Sequence, residues 1–354
     1  MNRKPLLIYA LHSGNLYGTE RMALATAVGL AEDFDCVMMA PDGPALAEAR
    51  RLGFDTVPFA NASQFTTGLW KILAEKRRFA FLATGVMHSM VCLALNKLRR
   101  REIAHLHLVH GGAEEALSYG RKQKLNGWPV RFVAVSHYVR ERLIANGAAE
   151  AQISVIENFL TDERVRNAPQ RPRYTVSGVP KLIVISRLDP EKRVDLLLDA
   201  LDRTPALRRF SIHVFGKGWV EQELRDRAAK SGHTIELCGF EPDIAGRLAA
   251  SDLLVHLCPV EPFGLAILEA MAARVPVLVP NSGGAGSLIA NNVSGFHFEA
   301  NDADALAARI LEIDALPQDR LNEIVSAATE TLHTRYSEKE RVADYRRLIQ
   351  ESYQ

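Results

Sequence analysis

Two glutamates eight positions apart are the side chains best placed to do chemistry. Glu261 and Glu269 lie in the segment VEPFGLAILEAMA. The proline after Glu261 favours a helix that begins near Phe263, with Glu269 two turns inside it. A carboxylate among the apolar neighbours of Glu269 is costly without hydrogen-bond donors, and hydroxyl groups of a ligand would satisfy both side chains. The backbone N–H groups of Phe263, Gly264 and Leu265 at the helix start could hold a phosphate.

A second segment, SRLDPEKR, offers two cations after another apolar run. Asp189 is a candidate N-cap and Pro190 suits the first helical position, which leaves Arg187 on the loop and Lys192 in the first turn. Basic residues in a first turn oppose the helix dipole, so a structural role explains them poorly. A diphosphate bound between the two side chains would explain both.

Glycine turns follow two more apolar runs. Gly14 and Gly18 precede a helical segment, and Gly216 opens the turn Gly-Lys-Gly. Glycine lets the backbone approach a ligand, and a helix N-terminus favours phosphate. The spacing is not G-x-G-x-x-G, so a dinucleotide fingerprint is absent. A tight turn without a ligand is the alternative for each.

Apolar runs alternate with amphipathic stretches of helix length along the whole chain. The strands and helices that these predict must position the segments described above. Most of the runs are uninterrupted, as expected for strands of a parallel sheet covered on both faces. The alternation is too long for one sheet and predicts an α/β fold of two doubly wound, Rossmann-like domains facing each other across a cleft. Ligands of such sheets bind beyond the carboxyl ends of the strands, where the residues above lie.

A polar, proline-bearing segment at 161–178 is interpreted as an interdomain linker. We therefore predict a first domain over 1–165 and a second over 179–336. A final helix over 337–354 could pack back on the first domain.

Composition excludes several classes of protein. With 354 residues, 47% hydrophobic and 24% charged, the chain is an ordinary globular protein, and a net charge of +1 gives no case for a nucleic-acid partner. Residues 1–160 carry 19 basic and 14 acidic side chains, which would suit an anionic acceptor or a membrane surface. Random surface variation is the alternative. The four cysteines have no zinc-like spacing and are expected to be free core residues.

The combination of the E-x7-E element with S-R-L-x-x-x-K resembles the retaining GT-B glycosyltransferases of the large group-4 family. The resemblance covers nearly the whole chain, through GTER, SRLDPEKRVDLLLDAL, VFGKG, LCGF and VPVLVPNSGGAGSLIANNVSGFHF. It implies a UDP-, GDP- or ADP-sugar donor held mainly by the second domain, with the acceptor on the first. Neither a cofactor nor a metal ion is implied.

The resemblance also implies a role for individual residues. Those matching Arg187 and Lys192 bind the diphosphate, Glu269 the ribose hydroxyls and Glu261 the donor sugar. The backbone of Phe263, Gly264 and Leu265 would contact sugar and phosphate, Gly14 and Gly18 would close over the phosphates, and Phe240 and Glu241 would lie at the base.

A histidine at the end of HLHLVH is a further candidate. His110 precedes two glycines at a predicted sheet edge, and the family often has a histidine here, near the anomeric carbon or the C6 hydroxyl of the sugar. A purely structural role in ending the strand is the alternative. His88 is a weaker candidate of the same kind.

Two positions depart from the family pattern. Ser287 stands where the family usually has an acidic residue after Gly-Gly, and Phe159 follows Asn158 in place of glycine. The first change leaves donor or acceptor recognition on that side in doubt. Neither touches the predicted phosphate clamp or the paired glutamates.

These observations predict metal-independent, retaining transfer of a hexose-type sugar to a saccharide or lipid-linked saccharide in polysaccharide synthesis. A nucleotide-sugar epimerase and a non-catalytic sugar-nucleotide-binding protein remain alternatives. Two Asp-x-Asp pairs, at 33–35 and 302–304, are interpreted as incidental rather than as metal ligands. We expect a cytoplasmic protein. Basic runs at 71–78 and 99–101 could dock it on the inner face of a membrane, although such runs are more often solvated surface.

Overall fold

The computed structural model describes residues 3–112, 114–169, 171, 173–176, 178–241 and 243–353. These form two compact units, Met1–Phe159 with Glu338–Gln354, and Leu160–Ser337. The chain thus passes into the second unit at Phe159, before the end that the sequence predicted for the first domain.

Each unit contains one sheet, and every strand pair within the described residues is parallel. The strands are β1 (Leu6–Ala10), β2 (Asp35–Ala40), β3 (Asp55–Pro58), β4 (Phe79–Ala83), β5 (Ile103–Val109), β6 (Arg131–Ala134), β7 (Ile153–Val155), β8 (Lys181–Ile185), β9 (Ser211–Phe215), β10 (Thr234–Gly239), β11 (Leu253–Val255), β12 (Val277–Pro280) and β13 (Phe296–Phe298). The first sheet has the order β3-β2-β1-β4-β5-β6-β7 and the second β10-β9-β8-β11-β12-β13. The prediction of two doubly wound parallel sheets is confirmed.

Helices connect the strands in both units. They are α1 (Gly18–Leu30), α2 (Pro44–Arg51), α3 (Ala62–Ile72), α4 (Val86–Arg99), α5 (Glu115–Ser118), α6 (His137–Ala145), α7 (Asp162–Asn167), α8 (Val194–Arg203), α9 (Glu221–Ala228), α10 (Ala245–Ala249), α11 (Leu265–Ala272), α12 (Gly283–Gly286), α13 (Ala303–Asp314), α14 (Gln318–Arg335) and α15 (Glu338–Glu351). Among the described residues, none of these helices combines the length and the apolar character needed to cross a membrane.

The apolar runs are buried as the sequence predicted. All residues of β1, β4 and β5 are buried, because helices cover both faces of a doubly wound sheet. In the second unit, α8 and α13 pack together over the sheet, and their leucines and isoleucines belong to one core.

The C-terminal helix α15 belongs to the first unit, where it packs against α1 and β5. Gly29 of α1 lies under Val342, since a Cβ at Gly29 would fall 2.4 Å from Val342 Cγ2. Arg346 Nε donates to Asp33 Oδ2 at 2.5 Å. The last helix is therefore held by close packing and by an ion pair.

The segment interpreted as a linker belongs to the second unit and begins with a helix. Thr161 caps α7 by accepting a hydrogen bond from the backbone of Arg164 at 3.3 Å. At six residues, α7 is too short to show a helical period in the sequence, which is why it was not predicted. Three of the later positions in this segment, 170, 172 and 177, lie outside the described residues.

Candidate functional site

The second unit brings the two sequence-predicted segments together. Strands β8 and β11 are neighbours and parallel, so the segments that follow them leave the same edge of the sheet. There Lys192 Nζ donates a hydrogen bond to Glu261 Oε2 at 2.6 Å. Both side chains are largely buried, with 14% and 16% of their surface exposed.

Lys192 lies in a local structure that differs from the predicted one. Residues Pro190–Lys192 form a single turn of 3-10 helix, Arg193 is left-handed with φ 55°, and α8 begins only at Val194. The Asp189 side chain makes no cap of that turn. Asp189 thus holds the predicted N-cap position with Pro190 after it, but without a side-chain cap, and Lys192 precedes the α-helix instead of lying in its first turn.

Asp189 instead organises the Arg187 loop. Its Oδ1 accepts from the Trp219 backbone N–H at 3.2 Å, and its Oδ2 pairs with Arg187 Nη1 at 2.6 Å. Arg187 Nη2 also pairs with Glu191 at 3.0 Å. Arg187 therefore has structural partners that the sequence did not reveal, yet 55% of its side chain remains exposed.

The ion pair of Lys192 and Glu261 overcomes the cost of its burial. Burial disfavours both charges and is the largest influence on each group. The attraction and hydrogen bond between the partners outweigh it, so the pKa of Lys192 is raised and the pKa of Glu261 is lowered. The Arg187 charge lowers the pKa of both groups, so it reinforces the shift of Glu261 and opposes that of Lys192. Arg187 is therefore near enough to act on the pair. Lys192 and Glu261 are both charged at neutral pH.

His256 is a neighbour of Glu261 that the sequence analysis missed. It follows β11 and is buried, with Nε2 at 3.6 Å from Glu261 Oε2. Burial lowers the pKa of His256 to about 4, against the attraction of the Glu261 carboxylate. The side chain is therefore neutral at pH 7. A polar residue inside the apolar run LLVHLC was the signal that could have identified it.

The Gly-Lys-Gly turn supports the Arg187 loop. A Cβ at Gly216, whose φ is 142°, would lie 1.8 Å from the Ser186 carbonyl oxygen, and one at Gly218 would lie 2.3 Å from that of Leu188. The Leu188 N–H also donates to Lys217 O at 3.0 Å. The glycines therefore have a packing role whether or not Gly216 contacts a ligand.

The Gly-Gly pair of the second unit supports the turn that carries Glu261. The Gly284 N–H donates to Glu261 O at 2.6 Å, and a Cβ at Gly284 would lie 2.0 Å from Pro262 O. Ser287 is exposed, and its hydroxyl donates to Gly284 O at 2.8 Å. The serine that replaces the usual acidic residue therefore closes a local turn.

Helix α11 begins two residues later than the sequence predicted. Gly264 precedes it with φ 104°, and the first helical residue is Leu265. The Phe263 side chain is buried and packs edge-on against Tyr336, with ring centroids 5.8 Å apart. The ring of Phe263 thus belongs to the core, and only its backbone could reach a ligand.

Glu269 has a partner that the sequence analysis missed. Its Oε1 accepts from Arg164 Nη1 of α7 at 2.6 Å, and 17% of the Glu269 side chain is exposed. The acidic first turn of α7 after a threonine was a helix-start signal. No sequence signal linked that helix to Glu269.

Two exposed aromatic side chains follow the neighbouring strands β9 and β10. Phe240, predicted near the base, is 58% exposed, and Trp219 is 91% exposed. Glu241 pairs with Arg247 at 3.3 Å. Trp219 was not singled out by the sequence analysis because it stands inside a glycine turn.

The remaining predicted site residues lie in the first unit. Gly14 packs against the loop after β2, where a Cβ would lie 2.5 Å from Pro41 O, and Gly18 begins α1. His110 directly follows β5, and its Nε2 has no hydrogen-bond partner among the described residues. Burial, aided by the charge of His12, lowers the pKa of His110 to about 3.

His88 has a structural role. It is buried, with its ring 5.3 Å from that of Phe59 and 4.5 Å from that of Phe65. Burial, followed by the charge of His12, lowers the pKa of His88 to about 4. The ring therefore packs as a neutral aromatic group of the core.

The Asp-x-Asp pairs also have structural partners. Asp33 pairs with Arg346, Asp35 pairs with Arg77, and Asp302 caps α13. No group of three or more histidine, cysteine or acidic side chains in the described part of the chain is arranged to hold a metal ion.

Some arginines of the basic runs at 71–78 and 99–101 make contacts within the protein. Arg77 pairs with Asp35 and donates to Lys4 O at 3.0 Å, and Arg101 donates to Leu73 O at 3.1 Å. Lys71, Lys76 and Arg100 are exposed. The two basic runs therefore offer fewer free positive charges to a membrane than the sequence suggested.

Comparisons with known proteins agree with this architecture. The family of glycosyl transferases group 1 matches residues 170–331, and glycosyltransferase family 4 matches residues 17–164. A glycogen synthase of Mycobacterium tuberculosis is 31% identical over 176 residues, 47% of this chain and 41% of that protein. A GDP-mannose-dependent alpha-(1-6)-phosphatidylinositol monomannoside mannosyltransferase of the same species is 29% identical over 199 residues, 51% of each chain. The chain thus spans about half the length of these curated relatives.

Solved structures share the fold along nearly the whole chain. A glycosyltransferase of Rickettsia africae has a TM-score of 0.84 at 21% identity and covers 98% of both chains. HepE of Anabaena, solved with UDP and glucose, has a TM-score of 0.82 at 18% identity and covers 97% of this chain and 99% of its own. Each half of the chain thus matches the model of a glycosyltransferase family, and the solved structures show that the chain has the two-sheet GT-B fold.

Proposed function

We propose that the protein transfers a hexose-type sugar from a nucleoside-diphosphate sugar to a hydroxyl acceptor, with retention of anomeric configuration. The observation that carries the proposal is the 2.6 Å pair of Lys192 and Glu261 beside Arg187, at the carboxyl edge of the second sheet. The matches of the two halves to glycosyltransferase families support the same reaction class. The acceptor we propose is a saccharide or a lipid-linked saccharide in polysaccharide synthesis.

The donor diphosphate would lie against Arg187 and Lys192. An ammonium group has three donors and a guanidinium five, so the pairs with Glu261 and Asp189 leave both side chains with capacity for phosphate oxygens. The half-exposed guanidinium of Arg187 can turn toward a ligand. Preorganised donors of this kind stabilise charge that develops in the transition state.

The two glutamates would accept hydrogen bonds from the donor's hydroxyl groups. Glu261 would hold the transferred sugar, and Glu269 would hold the ribose. Phe240 and Glu241 would lie at the base, and His110 of the first unit near the sugar. The low pKa of His110 makes a neutral imidazole its working form.

The proposed reaction breaks the bond between the anomeric carbon and the diphosphate oxygen. The acceptor hydroxyl attacks from the same face, and its proton passes to the departing phosphate. No side-chain nucleophile and no metal ion takes part. Activity is therefore expected to persist in EDTA.

A thermal-shift panel with UDP, GDP, ADP, CMP and NAD tests the donor class. A ligand at 100 times its dissociation constant stabilises a protein by about 2.7 kcal/mol, so one nucleoside diphosphate should raise the melting temperature clearly. The shift should be lost in Lys192→Ala and kept in Lys230→Ala, a matched change on the surface of the same unit. A response to NAD alone, or to none of the five, would overturn the proposal.

Product analysis separates transfer from its alternatives. With a panel of alkyl glycosides, the donor should be consumed only when an acceptor is present, and NMR should show the donor's anomeric configuration in the product. An altered sugar without an acceptor would identify an epimerase, and binding without turnover a sugar-nucleotide sensor.

The proposal extends to contact with an anionic membrane through Lys71, Lys76 and Arg100. Liposomes containing anionic lipid should float the protein at low salt and release it at high salt, because surface charges are screened. Protein that stays at the bottom of a low-salt gradient would remove this part of the proposal.

A further inference from the structure

The ion pair of Glu269 and Arg164 joins two helices that are far apart in the sequence. Glu269 is the fifth residue of α11, and its carboxylate lies 2.6 Å from Arg164 Nη1 on α7. The two residues are 105 positions apart, and both belong to the second unit. Their contact is therefore a tertiary feature of one compact body.

The backbone around Arg164 is itself fixed. Thr161 caps α7 through the Arg164 N–H, and Leu160 bridges to Ser337 at the other end of the unit. Arg164 therefore reaches Glu269 from a short helix whose start is anchored.

A largely buried carboxylate needs such a partner. Only 17% of the Glu269 side chain is exposed, so an unpaired charge there would be costly. A carboxylate has about four acceptor sites, so one that accepts from Arg164 can also accept from other donors. The charge-assisted bond holds Oε1 against Arg164 and so restricts the directions in which the carboxylate accepts further hydrogen bonds.

We propose that Arg164 is a positioning residue that holds Glu269 in the orientation in which it accepts hydrogen bonds from the ribose hydroxyls of the donor nucleotide. This inference rests on the proposed function. Helix α7 would then contribute to recognition of the ribose, and the preference for ribonucleotides over deoxyribonucleotides would depend on Arg164.

The test compares UDP, GDP and ADP with their 2′-deoxy counterparts by calorimetric titration. The wild-type protein should bind the ribonucleotide of its preferred base at least about tenfold more tightly than the deoxy form, because the deoxy form leaves a Glu269 acceptor unpaired. In Arg164→Gln the affinity for the ribonucleotide should fall by about tenfold, and the affinity for the deoxy form should fall much less. The ratio of the two affinities should therefore fall to about twofold or less.

Three further variants keep the result interpretable. Arg166→Gln changes an exposed arginine of the same helix and should leave the ratio at the wild-type value. Arg164→Lys restores the charge and should recover part of the ratio. Because Arg164 acts on the ribose only through Glu269, Arg164→Gln combined with Glu269→Gln should be no worse than Glu269→Gln alone.

The outcomes separate this inference from the proposed function. If the wild-type protein binds none of the three ribonucleotides, both fail. If it binds one, and Arg164→Gln weakens the ribo and deoxy forms equally or changes neither, the proposed function stands and the positioning role of Arg164 is wrong.

Discussion

At the scale of single residues, the site depends on opposite charges that are buried together. Lys192 and Glu261 share one hydrogen bond and are mostly removed from water. Since the depressed pKa of Glu261 lies below its ordinary 4.5 and the raised pKa of Lys192 above 10.5, their contribution to stability is constant between those values. It is lost as pH falls through the first pKa or rises through the second.

Replacing one partner should therefore cost more than replacing both. Lys192→Met and Glu261→Gln should each reduce the free energy of unfolding by about 3 kcal/mol, because each leaves an uncompensated buried group. The double variant should lose less than either single variant. Turnover in Lys192→Met should fall by about 10²–10³.

Urea denaturation and donor turnover measure these effects, with Lys230→Met as the surface control. Additive losses in the double variant would contradict the pairing of the two side chains.

At the scale of elements, the loops at the carboxyl edge of the second sheet support one another. The turn after β9 lies against the loop after β8, with glycine at the points of contact. The turn that carries Glu261 lies against the Gly-Gly segment after β12 in the same manner. The backbone on either side of Arg187 and the turn that carries Glu261 are therefore each packed against glycines.

A methyl group at the first of these contacts should displace the Arg187 loop. Gly216→Ala should lower the free energy of unfolding by more than about 2 kcal/mol, since the added atom meets backbone and the φ of 142° is unfavourable for alanine. Nucleotide affinity should fall with it.

Gly246→Ala is the matched control, because a Cβ there meets no atom within 4 Å and the residue lies in α10. That variant should be neutral or more stable by about 0.5–1 kcal/mol. Equal melting temperatures for the two variants would refute the packing role of Gly216.

The elements also mark how far the sequence could be interpreted. Uninterrupted apolar runs predicted the strands because burial on both faces is a local property of each run. The spacing of Glu261 and Glu269 likewise identified one loop and one helix. The partners of these glutamates could not be predicted: Arg164 lies 105 residues from Glu269, and α7 is too short to show a period. The side-chain partner of Asp189 could not be predicted for the same reason, since its carboxylate accepts from a loop after another strand.

At the scale of the whole molecule, buried neutral histidines couple folding to pH. His88, His105, His107 and His256 are all buried. Burial lowers the pKa of His105 to about 3 and those of His88 and His256 to about 4, and it places that of His107 well below its ordinary value. The unfolded chain binds protons near pH 6.5 and the folded chain does not.

The stabilisation from these groups is complete above pH 6.5 and is lost as pH falls toward 4. Each histidine should lower the free energy of unfolding by about 1.4 kcal/mol for each pH unit in that window. His88→Leu keeps an apolar side chain between Phe59 and Phe65. This variant should reduce the decline by about 1.4 kcal/mol per pH unit.

Urea denaturation at a series of pH values measures the decline. The exposed His333→Gln serves as the control and should follow the wild-type curve. An unchanged slope in His88→Leu would show that this ring is protonated in the folded protein.

The return of the chain to its first unit has a practical consequence for anyone trimming this protein. Helix α15 contributes Val342, Tyr345, Leu348 and Ile349 to the buried interior and covers α1 and β5. Truncation after Ser337 would therefore expose the apolar surface of the first unit that α15 covers. The shortened protein should be recovered as insoluble aggregates.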